Sequence, residues 1–592
     1  MPFKFTRQHL KGREQIFQRF FEILPGLTSW TILISATGLS FSHPACAAIF
    51  IIAFLFYWLL RLLYMTLFLV LSYSRLMMER QTDWMALIAG IDHIDQQNVN
   101  SRHSERSEES LLAGILRTLF SLNFFRRNKY VPASSIKFLG KLVRRSAPQN
   151  DGKRNIPQRI VSYIHRKELR NLQKEKNRPP PSMEIYHLVI FPIVKEPRDI
   201  VEPGVKSLSR QQFSPKRILV IFALEDRAEE KIKEAAFAIA KEYQHHFLDI
   251  LTIVHPSGLP GEAAVKGANV TYAARQAAPY FHSRNIPLEN IILSCFDADT
   301  IVGEEYFSCL TYHFMIASRR IQSSFQPIPV YHNNIWQVPS FARVIEIGSS
   351  FFQLIEATNP EKLVTFSSHS MSFKALVDVG YWPVDMISDD SAIFWKSYIH
   401  FDGQYQVIPM YVTLSMDVAA SDSLWPTIKS IYKQKRRWAW GVENFPIVMR
   451  AFLQSPKISL YNKIRHAWKL FEGHISWATW GFILTIISWL PVFLSEYEFT
   501  SSVVYYNAPK ITKTIFHLAS SSLFISVLLS MGLLPPRKSK DRLREKIGHV
   551  LEWLMIPFIL VFFSSLPALD AQTRLMINKR MEFWVTEKKR KK

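Results

Sequence analysis

The distribution of apolar positions divides the 592-residue chain into unlike parts. Leu27–Leu76 is apolar almost throughout and is interrupted only at Ser40–Pro44. A bilayer core takes about 20 apolar residues per helix. The stretch therefore predicts two membrane spans, 27–43 and 46–71, with a turn at Ser42-His43-Pro44. It is too long for a cleaved leader and reads as an anchor with a return helix. Residues 92–180 lose this pattern: they are rich in Ser, Asn, Gln and Arg, contain SRHSERSEES at 101–110, and end at Pro179-Pro180-Pro181. They read as a partly disordered linker or insertion (77–182 in all) that carries no assigned function.

From Met183 to about Val448 the pattern alternates. Short apolar, β-branched runs at Tyr186–Phe191, Ile218–Ala223, Ile250–Val254 and Ile291–Phe296 predict buried strands, with helices such as Ala228–His246 and Glu262–Phe281 between them. Continuous apolar strands alternating with helices predict a layered α/β domain over 183–448. In such sheets ligands gather beyond the carboxyl ends of the strands. The last third is apolar again. Residues 449–474 read as an interfacial segment, and 475–570 as two or three spans, with candidates at Ile475–Leu494, Phe516–Leu534 and Val550–Leu569. Pro557 and Pro567 interrupt the last, which is therefore expected to be re-entrant or interfacial.

Charge sharpens this picture. The formal net charge is +23, concentrated at 141–180, 535–546 and the tail 571–592. Basic blocks beside apolar runs mark cytoplasmic loops, so both outer flanks of the first span pair, and the α/β region that follows, are expected in the cytoplasm of a multi-pass cell-membrane protein. Nucleic acid is not an expected partner. The only cysteines, Cys46, Cys295 and Cys309, have no paired spacing, which excludes a disulfide scaffold and structural zinc.

Chemistry-bearing residues cluster at or just after strand ends. Pro192 and Glu196 follow the first strand, and Glu225-Asp226 the second. Asp297 and Asp299, two residues apart at a buried strand end, repel unless a cation or donors compensate them; hard divalent cations favour such carboxylates together with substrate phosphates. Ser388-Asp389-Asp390 opens a helix, where acids ordinarily serve as caps, although a carboxylate there also suits a general base. Gln434-Lys435-Arg436-Arg437-Trp438 offers Arg for phosphate and Trp for a sugar face, and equally suits a juxtamembrane anchor.

Taken in order, Asp-x-Asp, Ser-Asp-Asp and Gln-x-x-Arg-Trp resemble the membrane-bound family 2 glycosyltransferases, the group of cellulose, chitin and hyaluronan synthases. Phe583-Trp584-Val585-Thr586-Glu587-Lys588 is similar to a tail motif of that family. The first motif departs from it, with Val194-Lys195 in place of Tyr-Asn. The resemblance implies a GT-A (Rossmann-like) domain inserted between transmembrane helices. It also implies inverting, metal-dependent transfer of a sugar from a nucleotide diphosphate-sugar, most commonly a uridine one, to a growing polysaccharide. Residue by residue, it implies that Pro192, Glu196 and Glu225 or Asp226 hold the nucleoside and that Lys266 meets the diphosphate. Asp299 would ligate Mg²⁺ or Mn²⁺, with Asp297 on the metal or the ribose. Asp390 would be the base, and Gln434, Arg437 and Trp438 would hold diphosphate and acceptor. His369 reads as a structural histidine or as part of the acceptor site. Alternatives are transfer of one sugar to a polyprenyl phosphate or other lipid, and an inactive nucleotide-sugar-binding scaffold. An export partner or a homo-oligomer would serve a polymer product.

Overall fold

The computed structural model describes residues 3–8, 10–94, 156–175, 177–493, 503–536, 542–581, 584, 586–588 and 590. Most of the expected linker, 95–155, lies outside these residues.

Eight strands form one sheet in the order β3-β2-β1-β4-β7-β6-β8-β5. β1 (Tyr186–Ile193), β2 (Ile218–Glu225), β3 (Asp249–His255) and β4 (Ile291–Cys295) are the runs read as buried strands, and they pair in parallel. Their side chains alternate between two cores. Val189, Phe191 and Ile193 face one layer, while Leu188 and Ile190 face the other. All five are at most 1% exposed, so each contributes on the order of 1.5–3 kcal/mol of burial. This accounts for strands apolar at every position instead of at every second one.

The other half of the sheet departs from the alternating pattern. β7 (Ser370–Ser372) runs antiparallel to both β4 and β6 (Ser323–Val330), and β5 (Ile301–Val302) runs antiparallel to β8 (Gln406–Ser415). β6 and β8 pair in parallel, with a register shift between Gln326 and Ile328, at Pro327. The result is a GT-A-like α/β domain whose reversed strand, β7, stands next to β4.

Helices flank this domain. α1 (Arg13–Ser42) and α2 (Pro44–Glu79) are separated only by His43. Among the described residues four helices are long and apolar enough to cross a membrane: α1, α2, Lys513–Leu533 and Ile547–Met576. The C-terminal part of this set differs from expectation. Of the expected span Ile475–Leu494, residue 494 lies outside the described residues; up to 485 it is the end of a longer, partly polar helix, Leu460–Thr485, which is followed by the turn Ile487–Trp489. The proline-containing segment is in the set instead. Pro557 and Pro567 each fall in the first turn of a short helical stretch, where a missing N–H costs little, with a π-helical turn at Leu560–Ser565 between them.

Candidate active site

Beyond the carboxyl ends of β1, β2 and β4, side chains of opposite charge converge. The helix Lys266–His282 begins at Lys266, packed so closely that a methyl on Gly267 would meet the Pro383 carbonyl oxygen and lie 3.2 Å from Asp389 Cβ. This approach carries Lys266 Nζ to 2.9 Å from Asp297 Oδ1, and to 2.9 and 3.2 Å from the two oxygens of Asp390. Burial alone would lower the pKa of this ammonium, but Asp297 and Asp390 reverse the effect and hold it well above its ordinary value. Burial likewise opposes ionisation of Asp297, and Lys266, Lys588 and the Ser367 hydroxyl overcome it, leaving Asp297 well below the usual carboxylate range.

Asp389 and Asp390 open the helix Asp389–His400, and neither acts as its cap. Asp389 is 3% exposed, with its Oδ2 unpartnered. Burial, then the neighbouring Asp390 charge, pushes its carboxyl up to about 8. The two acids are thus differentiated: burial and the neighbouring acid favour the neutral form of Asp389, while both oxygens of Asp390 accept from Lys266.

Asp299, 1% exposed, faces a different set. Its Oδ2 accepts from the Asp417 amide at 2.7 Å, and its Oδ1 accepts from Lys588 Nζ at 2.6 Å. Asp417 is pushed up to about 6 by burial and by Asp299, against the pull of Arg590, whose Nε donates to Asp417 Oδ1 at 3.0 Å. No group of three or more His, Cys, Asp or Glu side chains arranged to hold a metal ion occurs among the described residues. The donor set nevertheless fits a hard cation that takes much of its coordination from substrate phosphates. Asp299 is a buried carboxylate already holding a cation, the Lys588 ammonium, at the position where a metal ion would neutralise it.

The remaining predicted residues are distributed around this centre. Glu225 is buried, ion-paired with Arg227, and leaves Oε1 without a partner. Asp226 points into solvent, so Glu225 is the inward member of the pair. Glu196 turns back on its own loop, one oxygen accepting from the amides of Val194 and Lys195 at 2.8 and 3.0 Å; Pro192 is half-buried in β1. Gln434, on the helix Leu424–Ala439, is buried with an unpartnered Oε1. Arg437 donates to the Trp584 carbonyl at 3.2 Å. Trp438 stands edge-on to Phe366 at 5.6 Å, with Lys435 Nζ 3.7 Å from its ring centre. His369 is fully buried, its Nδ1 3.0 Å from the Phe366 carbonyl and its Nε2 unpartnered, and burial lowers its pKa.

Four contributors escape a reading of the motifs. Asp417 carries a weak signal, an acid just past a buried strand. Lys588 lies in the tail motif without any sign of its target, while Ser367 and Glu443, whose Oε1 accepts from the Ser388 amide and hydroxyl just ahead of the acid pair, give no signal at all.

A family model described as "Glycosyl transferase family group 2" matches residues 292–565. A poly-β-1,6-N-acetyl-D-glucosamine synthase of Staphylococcus epidermidis (strain ATCC 35984) is 30% identical over 158 residues, 26% of this chain and 33% of that protein. The synthase of the same name from Staphylococcus aureus (strain COL) is 34% identical over 86 residues, 14% of this chain and 18% of that protein. The chain thus spans a third or less of the length of these relatives. Among solved structures, the mannosyltransferase PcManGT from Pyrobaculum calidifontis in complex with GDP-Man and Mn²⁺ aligns at a TM-score of 0.39 and 11% identity, covering 71% of this chain and 95% of that one. S. aureus TarS 1-349 in complex with UDP-GlcNAc aligns at a TM-score of 0.33 and 12% identity, covering 67% of this chain and 91% of that one.

Proposed function

We propose that this chain, an enzyme carrying a glycosyltransferase family 2 domain, is a membrane-embedded inverting transferase that extends a β-linked polysaccharide from a nucleotide diphosphate-sugar. One observation carries the reading: a buried ammonium, Lys266, stands between Asp297 and Asp390, the acids that open the way to a cation-holding carboxylate on one side and an acceptor base on the other.

In this reading Asp390 takes the proton of the acceptor hydroxyl as its oxygen attacks the anomeric carbon. The bond from that carbon to the diphosphate oxygen breaks, and the nucleoside diphosphate leaves. A single displacement inverts the stereocentre, so an α-linked donor yields a β-linkage. Lys266 and Arg437 face the leaving diphosphate and offset the charge that develops on it. Asp389, in the neutral form that burial favours, adds no second charge beside the base. Asp299, with Asp297 beside it, would hold Mg²⁺ or Mn²⁺, which when bound supplies further charge neutralisation at the diphosphate. Glu225, whose Oε1 lacks a partner, and Glu196 near Pro192 would bind the nucleoside. Trp438 and Gln434 would hold the acceptor sugar. Fixing donor and acceptor at near-attack distance supplies much of the rate.

The named relatives support a polymer as product and N-acetylglucosamine as the first sugar to test, as its uridine diphosphate ester. The four long apolar helices support a catalytic domain held at the membrane, on its cytoplasmic side by the distribution of basic blocks. Incubating membranes with a panel of labelled nucleotide sugars and sizing the product tests the proposal. A ladder or long polymer is expected; a single glycolipid band would establish transfer to a lipid acceptor instead.

A further inference from the structure

The segment ahead of α1 does not lie free. Phe3 and Phe5 pack against Met386, Ala392 and Ile447, residues on and beside the base-bearing helix. Thr6 Oγ1 donates to Asp385 at 3.1 Å, and Arg450 donates to the Thr6 carbonyl at 2.9 Å. Arg7 reaches deepest: its guanidinium donates to Glu443 Oε2 at 3.0 Å, with side chains 12% and 1% exposed. Arg7 also stands 3.7 Å from Glu22 of α1.

Glu443 is the hub of this arrangement. Its Oε1 accepts from the amides of Ile387 and Ser388 at 3.1 and 3.0 Å, and from the Ser388 hydroxyl at 2.7 Å. Its Oε2 accepts from the Trp440 indole at 2.9 Å as well as from Arg7. One carboxylate thereby ties the turn immediately before Asp389-Asp390 to the end of the Gln-x-x-Arg-Trp helix. A buried anion this central needs a counter-charge, and breaking such a pair from one side is strongly unfavourable. Arg7 supplies that charge from more than 430 residues away in sequence. Without Arg7 the Glu443 side chain loses the ion pair that holds it in place, and with it the fixed acceptor of the Ile387 and Ser388 amides.

We propose that Arg7 and Glu443 are positioning residues for Asp390, the N-terminal segment acting as a strap that fixes the acid pair against the acceptor-binding helix. This rests on the reading of Asp390 as the base. Because the strap bears on the acceptor side, its loss falls on turnover and spares donor binding.

The test uses the full chain in membranes, with labelled nucleotide-sugar binding and steady-state turnover measured for Arg7→Gln, Glu443→Gln, Arg7→Lys and Asp390→Asn. A misplaced catalytic group costs about 100-fold, so kcat is expected to fall roughly 10- to 100-fold in Arg7→Gln and Glu443→Gln. Donor KM and Kd should stay within about twofold, and Arg7→Lys should recover most of the rate. Unchanged kcat in Arg7→Gln overturns the proposal, as does a parallel loss of kcat and donor binding that Lys does not rescue. Should Asp390→Asn itself keep the wild-type rate, it is the assignment of the base that fails, and the two failures are told apart.

Discussion

Replacing Lys266 by Met removes an ammonium that contacts both Asp297 and Asp390, at 2.9 Å each. The side chain is 10% exposed, so water offers the two carboxylates little compensation. Hydrogen bonds to charged groups are worth about 1.5–3 kcal/mol each, and stripping one partner from a buried ion pair costs about 3–5 kcal/mol. If about 3 kcal/mol of this appears in the transition state, where the leaving diphosphate also loses a cation, 1.36 kcal/mol per decade gives a fall of roughly 100-fold in kcat/KM. The variant also loses the interaction that holds Asp297 ionised. A group whose folded pKa is depressed stabilises the fold above its unfolded pKa, and that stability is lost as pH falls through the folded pKa. Lys266→Met should therefore lose the part of the wild type's stability at neutral pH that Asp297 supplies. The assay is release of nucleoside diphosphate from donor in purified membranes, with thermal unfolding of the solubilised protein alongside. Activity within about threefold of wild type, at normal protein level, would exclude this role for Lys266, because a buried ammonium between two working carboxylates cannot be neutral to their chemistry.

Other consequences follow from the same geometry. Asp389, pushed up to about 8, favours the folded state fully below the unfolded carboxylate pKa, and this contribution is lost as pH rises through 8. The Tm difference between wild type and Asp389→Asn should therefore move in the variant's favour from about pH 6 to about pH 9; a difference that does not change with pH would contradict the raised value. Asp299→Asn should weaken donor binding chiefly in the presence of divalent metal, measured by binding with and without chelator, and equal binding in both would remove Asp299 as a ligand. Gly267→Ala drives a methyl into the Pro383 carbonyl, at a cost of about 1–3 kcal/mol seen as a lower Tm; an unchanged Tm would mean that the helix start can shift.

The first half of the sheet was legible because β1, β2 and β4 are buried on both faces, which leaves an unbroken apolar signature in Val189, Ile190, Phe191 and their neighbours; β3, at the sheet edge, is buried only at Ile250 and was read as a buried strand from its apolar run alone. The second half was not. β7 is three residues, Ser-Met-Ser, and β6 and β8 contain Pro327, Pro329 and Pro409, which break the local strand signal; only pairing with neighbours makes them strands. The helical path of the last apolar segment was not legible either, since Pro557 and Pro567 stand in first turns, where a proline does not end a helix.

At the candidate site, Lys266 and Asp297 follow the parallel strands β3 and β4, which deliver their loops to one edge, whereas Asp390 arrives at the start of a helix that follows the antiparallel β7, a placement only the fold reveals. Lys588, Asp417 and Glu443 were hidden because their partners are distant in sequence: Lys588 meets Asp299 across 289 residues. The tail motif singles out the segment that carries Lys588, but nothing in it points to Asp299 as the partner.

The central claim is that Asp390 receives the acceptor proton in a cleft built around Lys266. Its most direct measurement is the rate of nucleoside diphosphate release from labelled donor by purified membranes of wild type and Asp390→Asn, with donor binding measured in the same preparations. General-base contributions of about 10²–10⁴-fold predict that turnover falls by at least about two orders of magnitude while donor binding persists. Undiminished release by Asp390→Asn would contradict the account.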